Sequence, residues 1–270
     1  MITHGNSLNI KTALISASKS LISARDKDFL RRVFSQDISF YVQKLKGLKF
    51  FGFDRVLDAG SGFGQWSIAL SGLNNHVVGV EINYRRLFTA QQILRAIRDC
   101  SIDFLQSSVE ILPFSNNSFD AIFCFSVVYD TNYPKVFKEF YRILKPGGKL
   151  YICANGFGWY LFRLVNNYNP SKDFNPRVDA LETFIHSLGY YLMNYHIQDK
   201  SLVMSPRGTT YALQQAGFDK VNILSNDKSL NLQGAEPISI YPRTYFGMTN
   251  VFEVLAFREN DRSSSGVVPM

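Results

Sequence analysis

Arg55-Val56-Leu57-Asp58-Ala59-Gly60-Ser61-Gly62-Phe63-Gly64 decides how the rest of the chain is read. A short strand-forming run passes straight into three glycines at alternate positions. Such a turn between a strand and a helix lets backbone N–H groups and a helix N-terminus approach a ligand that side chains would block. The dinucleotide spacing G-x-G-x-x-G would need glycine at 65, where Gln65 stands, and this disfavours NAD and FAD. Asp58 lies just before the turn. A second acid, Glu81, ends the next apolar run (76–81), where a carboxylate can accept hydrogen bonds from both hydroxyls of a ribose.

Outward from this turn, apolar spacing predicts alternating strands and helices. Strands are expected over 55–58, 76–81, 102–106, 119–125, 149–154, 220–225 and 250–258. Helices are expected from the turn through about Leu70, over 84–98 and 134–144, and from Pro206 to Ala216 behind the Ser205 cap. Pro146-Gly147-Gly148 is read as the stop of the 134–144 helix. Alternation of this kind implies βαβ units: an α/β, Rossmann-like fold with a seven-stranded, mostly parallel sheet and helices on both faces. Residues 1–53 are a helical extension, with one helix over 28–48, and 54–258 form the main domain. Within it, 155–204 is a helical, aromatic insertion after strand five, with one helix near 176–188 capped by Asn175. The tail, 259–270, is expected to be disordered.

Composition bounds the function. Cys100, Cys124 and Cys153 are too few and too scattered for a disulfide framework, and no Cys/His cluster has metal-ligand spacing, so no metal and a reducing, cytoplasmic setting are expected. No apolar run is long enough to span a bilayer. The start of the chain is Ser-rich and lacks an acid before Asp26, as transit peptides do; a frayed or helical N-terminus is the preferred reading. Residues 1–53 carry nine Lys/Arg against three acids, most of the formal net charge of +7. They are read as a solvated helix face, with an acidic partner as the alternative.

The run VLDAGSGFGQWSIAL, then VVGVEI, SVEILPFSNNSFDAIFCF and RILKPGGKLYI, in that order, resembles the class I S-adenosylmethionine-dependent methyltransferases, and most of all their broad small-molecule branch. The likeness is close over 54–155 and looser over 205–258. It implies S-adenosyl-L-methionine as cofactor, with Gly60, Gly62 and Gly64 along its methionine portion and Asp58 near its ammonium group. Glu81 would hold the ribose, and Ile82 would pack on the adenine. Ser108, Val109 and Glu110 would border the adenine, with Ser108 where many relatives carry Asp. Phe125 and Ser126 would border the methyl donor.

The acceptor is expected to be a small molecule. Phe125-Ser126-Val127-Val128-Tyr129 lacks the Asn-Pro-Pro-Tyr of amide- and base-nitrogen methylation, and no Pro-Cys pair marks pyrimidine C5 chemistry. The aromatic insertion sits where open α/β sheets bind ligands, so Trp159 and Tyr160 are candidate acceptor contacts. His186 and His196 are the candidate general bases, each also readable as a structural histidine. On this reading residues 1–25 are dispensable for turnover. The alternatives are an RNA or protein acceptor met by the basic N-terminal region, and a non-catalytic cofactor-binding module. Oligomeric state is left open.

Overall fold

The computed structural model describes residues 14–97, 101–193, 197, 200–224 and 244–260. The cores of the seven expected strands are all present: β1 (Arg55–Ala59), β2 (His76–Glu81), β3 (Ile102–Gln106), β4 (Phe119–Phe125), β5 (Leu144–Asn155), β6 (Lys220–Leu224) and, after a small hairpin of β7 (Thr244–Tyr245) and β8 (Met248–Thr249), β9 (Val251–Phe257). They form one sheet in the order β3-β2-β1-β4-β5-β9-β6. The first five are mutually parallel, and β9 runs antiparallel between β5 and β6.

Neighbouring β1 residues point to opposite faces, so Val56 and Leu57 enter different cores. Leu57, Val78, Ile122 and Ile152 pack under α5 (Tyr133–Ile143) and α8 (Pro206–Gln215). Val56, Val77, Phe123 and Tyr151 pack on α3 (Gln65–Ser71) and the N-terminal helices. The helices begin where the sequence places caps. Asn83 Oδ1 accepts from Arg85 N and Arg86 N at the head of α4 (Tyr84–Ala96), Asn132 caps α5, and Ser205 Oγ accepts from Gly208 N at α8.

Three expectations are corrected. The single helix over 28–48 is two, α1 (Ala24–Val33) and α2 (Ile38–Gly47). Ser35 Oγ donates to Arg32 O, and Asp37 restarts the helix by accepting from Ser39 N. The insertion holds two helices: α7 (Pro176–Met193), capped by Asn175, and α6 (Phe157–Asn166), whose run FGWYLFRLV is too uniformly apolar to show a helical period. The helix before β5 ends at Ile143, and Pro146-Gly147-Gly148 lies within the long strand β5.

The basic N-terminal region is also not simply a solvated face. Lys44 is buried and donates to both oxygens of Glu253 on β9 at 2.6 and 2.7 Å, and Tyr41 packs edge-on to Trp66 at 4.7 Å. Cys124 and Cys153 are free and buried, whereas Cys100 and the 261–270 tail lie outside the described residues.

Candidate active site

Two of the three glycines after β1 answer to different demands. Gly60 has φ +77°, and a Cβ there would lie 2.3 Å from Val127 Cγ2, so the loops after β1 and β4 meet on bare backbone. At Gly62 (φ +57°) a Cβ would meet only Phe29 Cε1, at 3.9 Å, which leaves the space in front of the backbone open to a ligand. Gly64 packs beneath Phe104. Gly60 N and Ser61 N both donate to Val80 O, at 2.8 and 2.9 Å, and fix this cradle to β2.

Two buried carboxylates flank the cradle. Glu81 Oε2 accepts from Gly62 N at 3.0 Å and Oε1 from Asn83 N at 2.8 Å. Each oxygen retains acceptor capacity for a further donor, which is what a pair of ribose hydroxyls requires. Ile82 beside it is 63% exposed, an apolar surface free to take a flat ring. Asp58 accepts from Ser67 Oγ at 2.6 Å. Burial pushes its carboxyl up to about 7 despite that bond, and the charge of Glu81 adds to the rise. A cation placed nearby would relieve this. Ser61 Oγ and Gln65 Oε1 in the same turn are buried without a hydrogen-bond partner, as polar atoms awaiting a ligand are.

The remaining residues expected at the cofactor follow β3 and β4, the strands next to β2 and β1 in the sheet. Ser108 Oγ accepts from Glu110 N at 3.2 Å, and Val109 is buried in the core. Glu110 accepts from Asn132 N at 2.9 Å and lies 3.8 Å from Lys135 Nζ, which ties the turn after β3 to the start of α5. Phe125 ends β4 with its ring 5.0 Å from that of Trp66. Ser126 turns the chain with φ +61°, a left-handed conformation uncommon for serine, while its N–H donates to Cys153 O.

A family model described as a methyltransferase domain matches residues 57–152. A ubiquinone/menaquinone biosynthesis C-methyltransferase of Cronobacter sakazakii is 30% identical over 62% of this chain and 67% of its own length. The enzyme of that name from Haemophilus ducreyi is 27% identical, over 57% of this chain and 71% of its own length. The chain belongs to the class I S-adenosylmethionine-dependent methyltransferase family. A solved S-adenosylmethionine-dependent methyltransferase of Methanosarcina mazei shares the fold, with a TM-score of 0.53 at 18% identity over 79% of this chain and 97% of that one. The protein is therefore an S-adenosylmethionine-dependent methyltransferase, and the cradle offers chemistry that could suit that cofactor: two buried carboxylates, Glu81 and Asp58, beside open glycine backbone.

The methyltransferase roofs this cradle with a helix the sequence did not single out. Helix α1 lies over the glycines, with Phe29 5.4 Å from Phe63, and Asp26 holds Arg86 at 2.7 Å. The insertion clasps α1 from the other side. Asp173 accepts from Ala24 N and Arg25 N, both at 2.8 Å, and Arg25 stacks over Phe174 at 3.9 Å. Hydrogen bonds to Asp173, first from the Ser23 side chain, hold its carboxyl well below the usual range.

Asp130, five residues beyond β4, was also missed. It accepts a short hydrogen bond from Ser201 Oγ, and Asp179, Arg25 and Arg86 act on it electrostatically. Burial pushes its carboxyl up to about 6. It keeps accessible surface where Ser201 and Leu202 cross the segment after β4. The only signal in the sequence was its place as the first acid after β4.

The structure changes the reading of the other candidates. His186 is withdrawn as a base: Nδ1 bonds Ser201 O at 3.0 Å and Nε2 accepts from Ile197 N at 2.9 Å, so the ring is a post for Ile197 and Ser201. His196 lies outside the described residues. Tyr160 is buried, its hydroxyl without a partner and within electrostatic reach of Asp130, while Trp159 packs against Phe162 and Tyr168. Among the described residues no helix is long and apolar enough to cross a membrane.

Proposed function

We propose that this methyltransferase modifies a small molecule that enters the inlet between the carboxyl ends of β4 and β5 and the α6–α7 cover. The observation that carries the proposal is Asp130: an accessible carboxylate set among α1, α4, α7 and the 200–204 strap, beside a cofactor cradle that α1 roofs over. Of the basic residues in 1–53 that could have met RNA, Lys44 is buried on Glu253. That the two quinone-pathway relatives carry C-methyltransferase names supports the same class of acceptor.

Bound S-adenosylmethionine supplies a methyl carbon made electrophilic by its sulfonium. The cradle of Asp58, Gly60, Gly62, Gly64, Glu81 and Ile82 holds and orients the cofactor, with Ser108, Val109, Glu110, Phe125 and Ser126 around its rim. Asp130, ionised above about pH 6, takes the proton of the acceptor's O–H, N–H or activated C–H, and Ser201 steadies the carboxylate. Trp159 and Tyr160 close the inlet against water. Asp130→Asn should leave cofactor affinity unchanged by calorimetry. It should cut transfer of labelled methyl into the small-molecule fraction of a cell extract by about 10²–10⁴-fold. Label in the RNA or protein fraction would overturn the acceptor class, and full turnover by the variant would remove Asp130 as the base.

A further inference from the structure

The groups expected to meet the cofactor are closed off from solvent. Ser61, Gly62, Phe63 and Gly64 are all buried, and the two carboxylates of the cradle are 2% (Asp58) and 6% (Glu81) exposed. A molecule the size of S-adenosylmethionine reaches them only when part of the protein moves. The sheet and helices α3 and α4 are held by the apolar core, so the part that yields is the roof.

Helix α1 has the parts of a gate. Of its ten residues only Asp26 and Leu30 are buried, and so short a helix is stable only against its neighbours. It lays Phe29 over the turn, with the ring 5.4 Å from that of Phe63 and Cε1 3.9 Å from where a Cβ on Gly62 would stand. Beyond it the chain is anchored: α2 carries Lys44 on Glu253 and Tyr41 against Trp66. Between the two helices Ser35, Gln36 and Asp37 are exposed and outside either one, which is where a hinge can turn.

The head of α1 is fastened by polar bonds. Asp26 accepts from Arg86 Nε and Nη2 at 3.0 and 2.7 Å, and Ser20 O, in the lead-in, accepts from Arg85 Nη1 at 3.2 Å. The remaining latch belongs to the acceptor cover: Asp173 accepts from Ala24 N and Arg25 N. Phe174 next to it lies under both Arg25 and Arg163 of α6, at 3.9 and 5.0 Å, and Arg163 holds Asp179 of α7 at 2.6 Å. Helix α1 is thus continuous with both helices of the cover.

We propose that α1 is the gate of the cofactor site, hinged at 34–37, with Phe29 as its contact on the methionine portion and Asp173 as the latch by which the acceptor cover holds it shut. The cofactor binds before the cover closes, and its demethylated product leaves after the cover has released α1. This rests on the cofactor lying against Gly62, and not on Asp130 or the class of acceptor.

The rates at which labelled S-adenosylhomocysteine binds to the full chain, and leaves it under an unlabelled chase, test the gate. Asp173→Ala should raise association and dissociation alike, a few-fold, with Kd held within about twofold, because a loosened latch alters the path and not the seat. Unchanged rates would overturn the gate. So would faster dissociation with unaltered association, which would make Asp173 a simple support of the bound ligand. Phe29→Ala should weaken binding by about fivefold or more as its apolar contact is lost, and an unaltered affinity would overturn that contact. In hydrogen exchange, S-adenosylhomocysteine should slow 24–33 and 171–175 together in the wild type, and 24–33 alone in Asp173→Ala. Slowing confined to 24–33 in the wild type would overturn the link to the cover. Glu81→Ala reads the cradle without α1: if it binds as the wild type does, the cofactor lies elsewhere and the gate falls with it.

Discussion

The cradle and its cover follow opposite rules. Around Asp58, Gly60 and Glu81, apolar residues face inward from both sides of the sheet, and the few buried polar groups aim at one turn. In the cover, buried Thr183, His186 and Ser187 share the inner side of α7 with Ala180, while Leu181, Ile185 and Leu188 are exposed. The cover is tied to the body by a few hydrogen bonds: Ser201 Oγ to Asp130, Leu202 N to Tyr129 O, and Ala24 N and Arg25 N at the head of α1 to Asp173. Burial of apolar area makes the cradle rigid, whereas a cover fastened by hydrogen bonds, each worth about 0.5–1.5 kcal/mol net, can open without unfolding the sheet. A cofactor site needs the first property and an acceptor inlet the second.

The comparison can be broken most forcefully at Gly60. Gly60→Ala places a carbon where Val127 stands, at a positive φ, and should cost about 2–5 kcal/mol in urea unfolding and abolish cofactor heat. A variant as stable as the wild type would show that the cradle yields as readily as the cover. Next, Glu81→Ala should weaken S-adenosylmethionine by about 1.5–3 kcal/mol in calorimetry, and Glu81→Gln by less, because an amide oxygen still accepts.

Asp58 sharpens the contrast through pH. Its folded carboxyl is raised to about 7, so folding stability falls as pH rises from the ordinary carboxylate value towards 7, because the unfolded chain gives up this proton first. A cationic cofactor selects the ionised form. Affinity should therefore fall as pH drops below about 7, by at most about tenfold per unit, and Asp58→Asn should flatten the profile. A flat wild-type profile would separate Asp58 from the ammonium. The smallest effect belongs to the cover. Asp173→Ala should speed amide exchange in residues 24–33 by a few-fold and leave cofactor affinity within about twofold. Removal of residues 1–25, dispensable on the sequence reading, deletes Ala24 and Arg25 of this clasp and should impair turnover. Unaltered exchange and turnover would show that the clasp holds nothing.

The strands were legible because each is a short apolar run between turn signals, and their order followed from the alternation with helices. The glycine turn and the two carboxylates beside it were legible because Gly60, Gly62, Gly64, Asp58 and Glu81 lie within two consecutive βα units. Tertiary structure alone decided the rest. Asp130 acquires its environment from Arg25, Arg86, Asp179 and Ser201, which are dispersed over much of the chain. His186 loses candidacy as a base only when Ile197 and Ser201 are seen on its ring. The period of α7 is plain in the sequence, but which side faces out is not, because a helical repeat of apolar residues reads the same whether it meets the core or lies exposed.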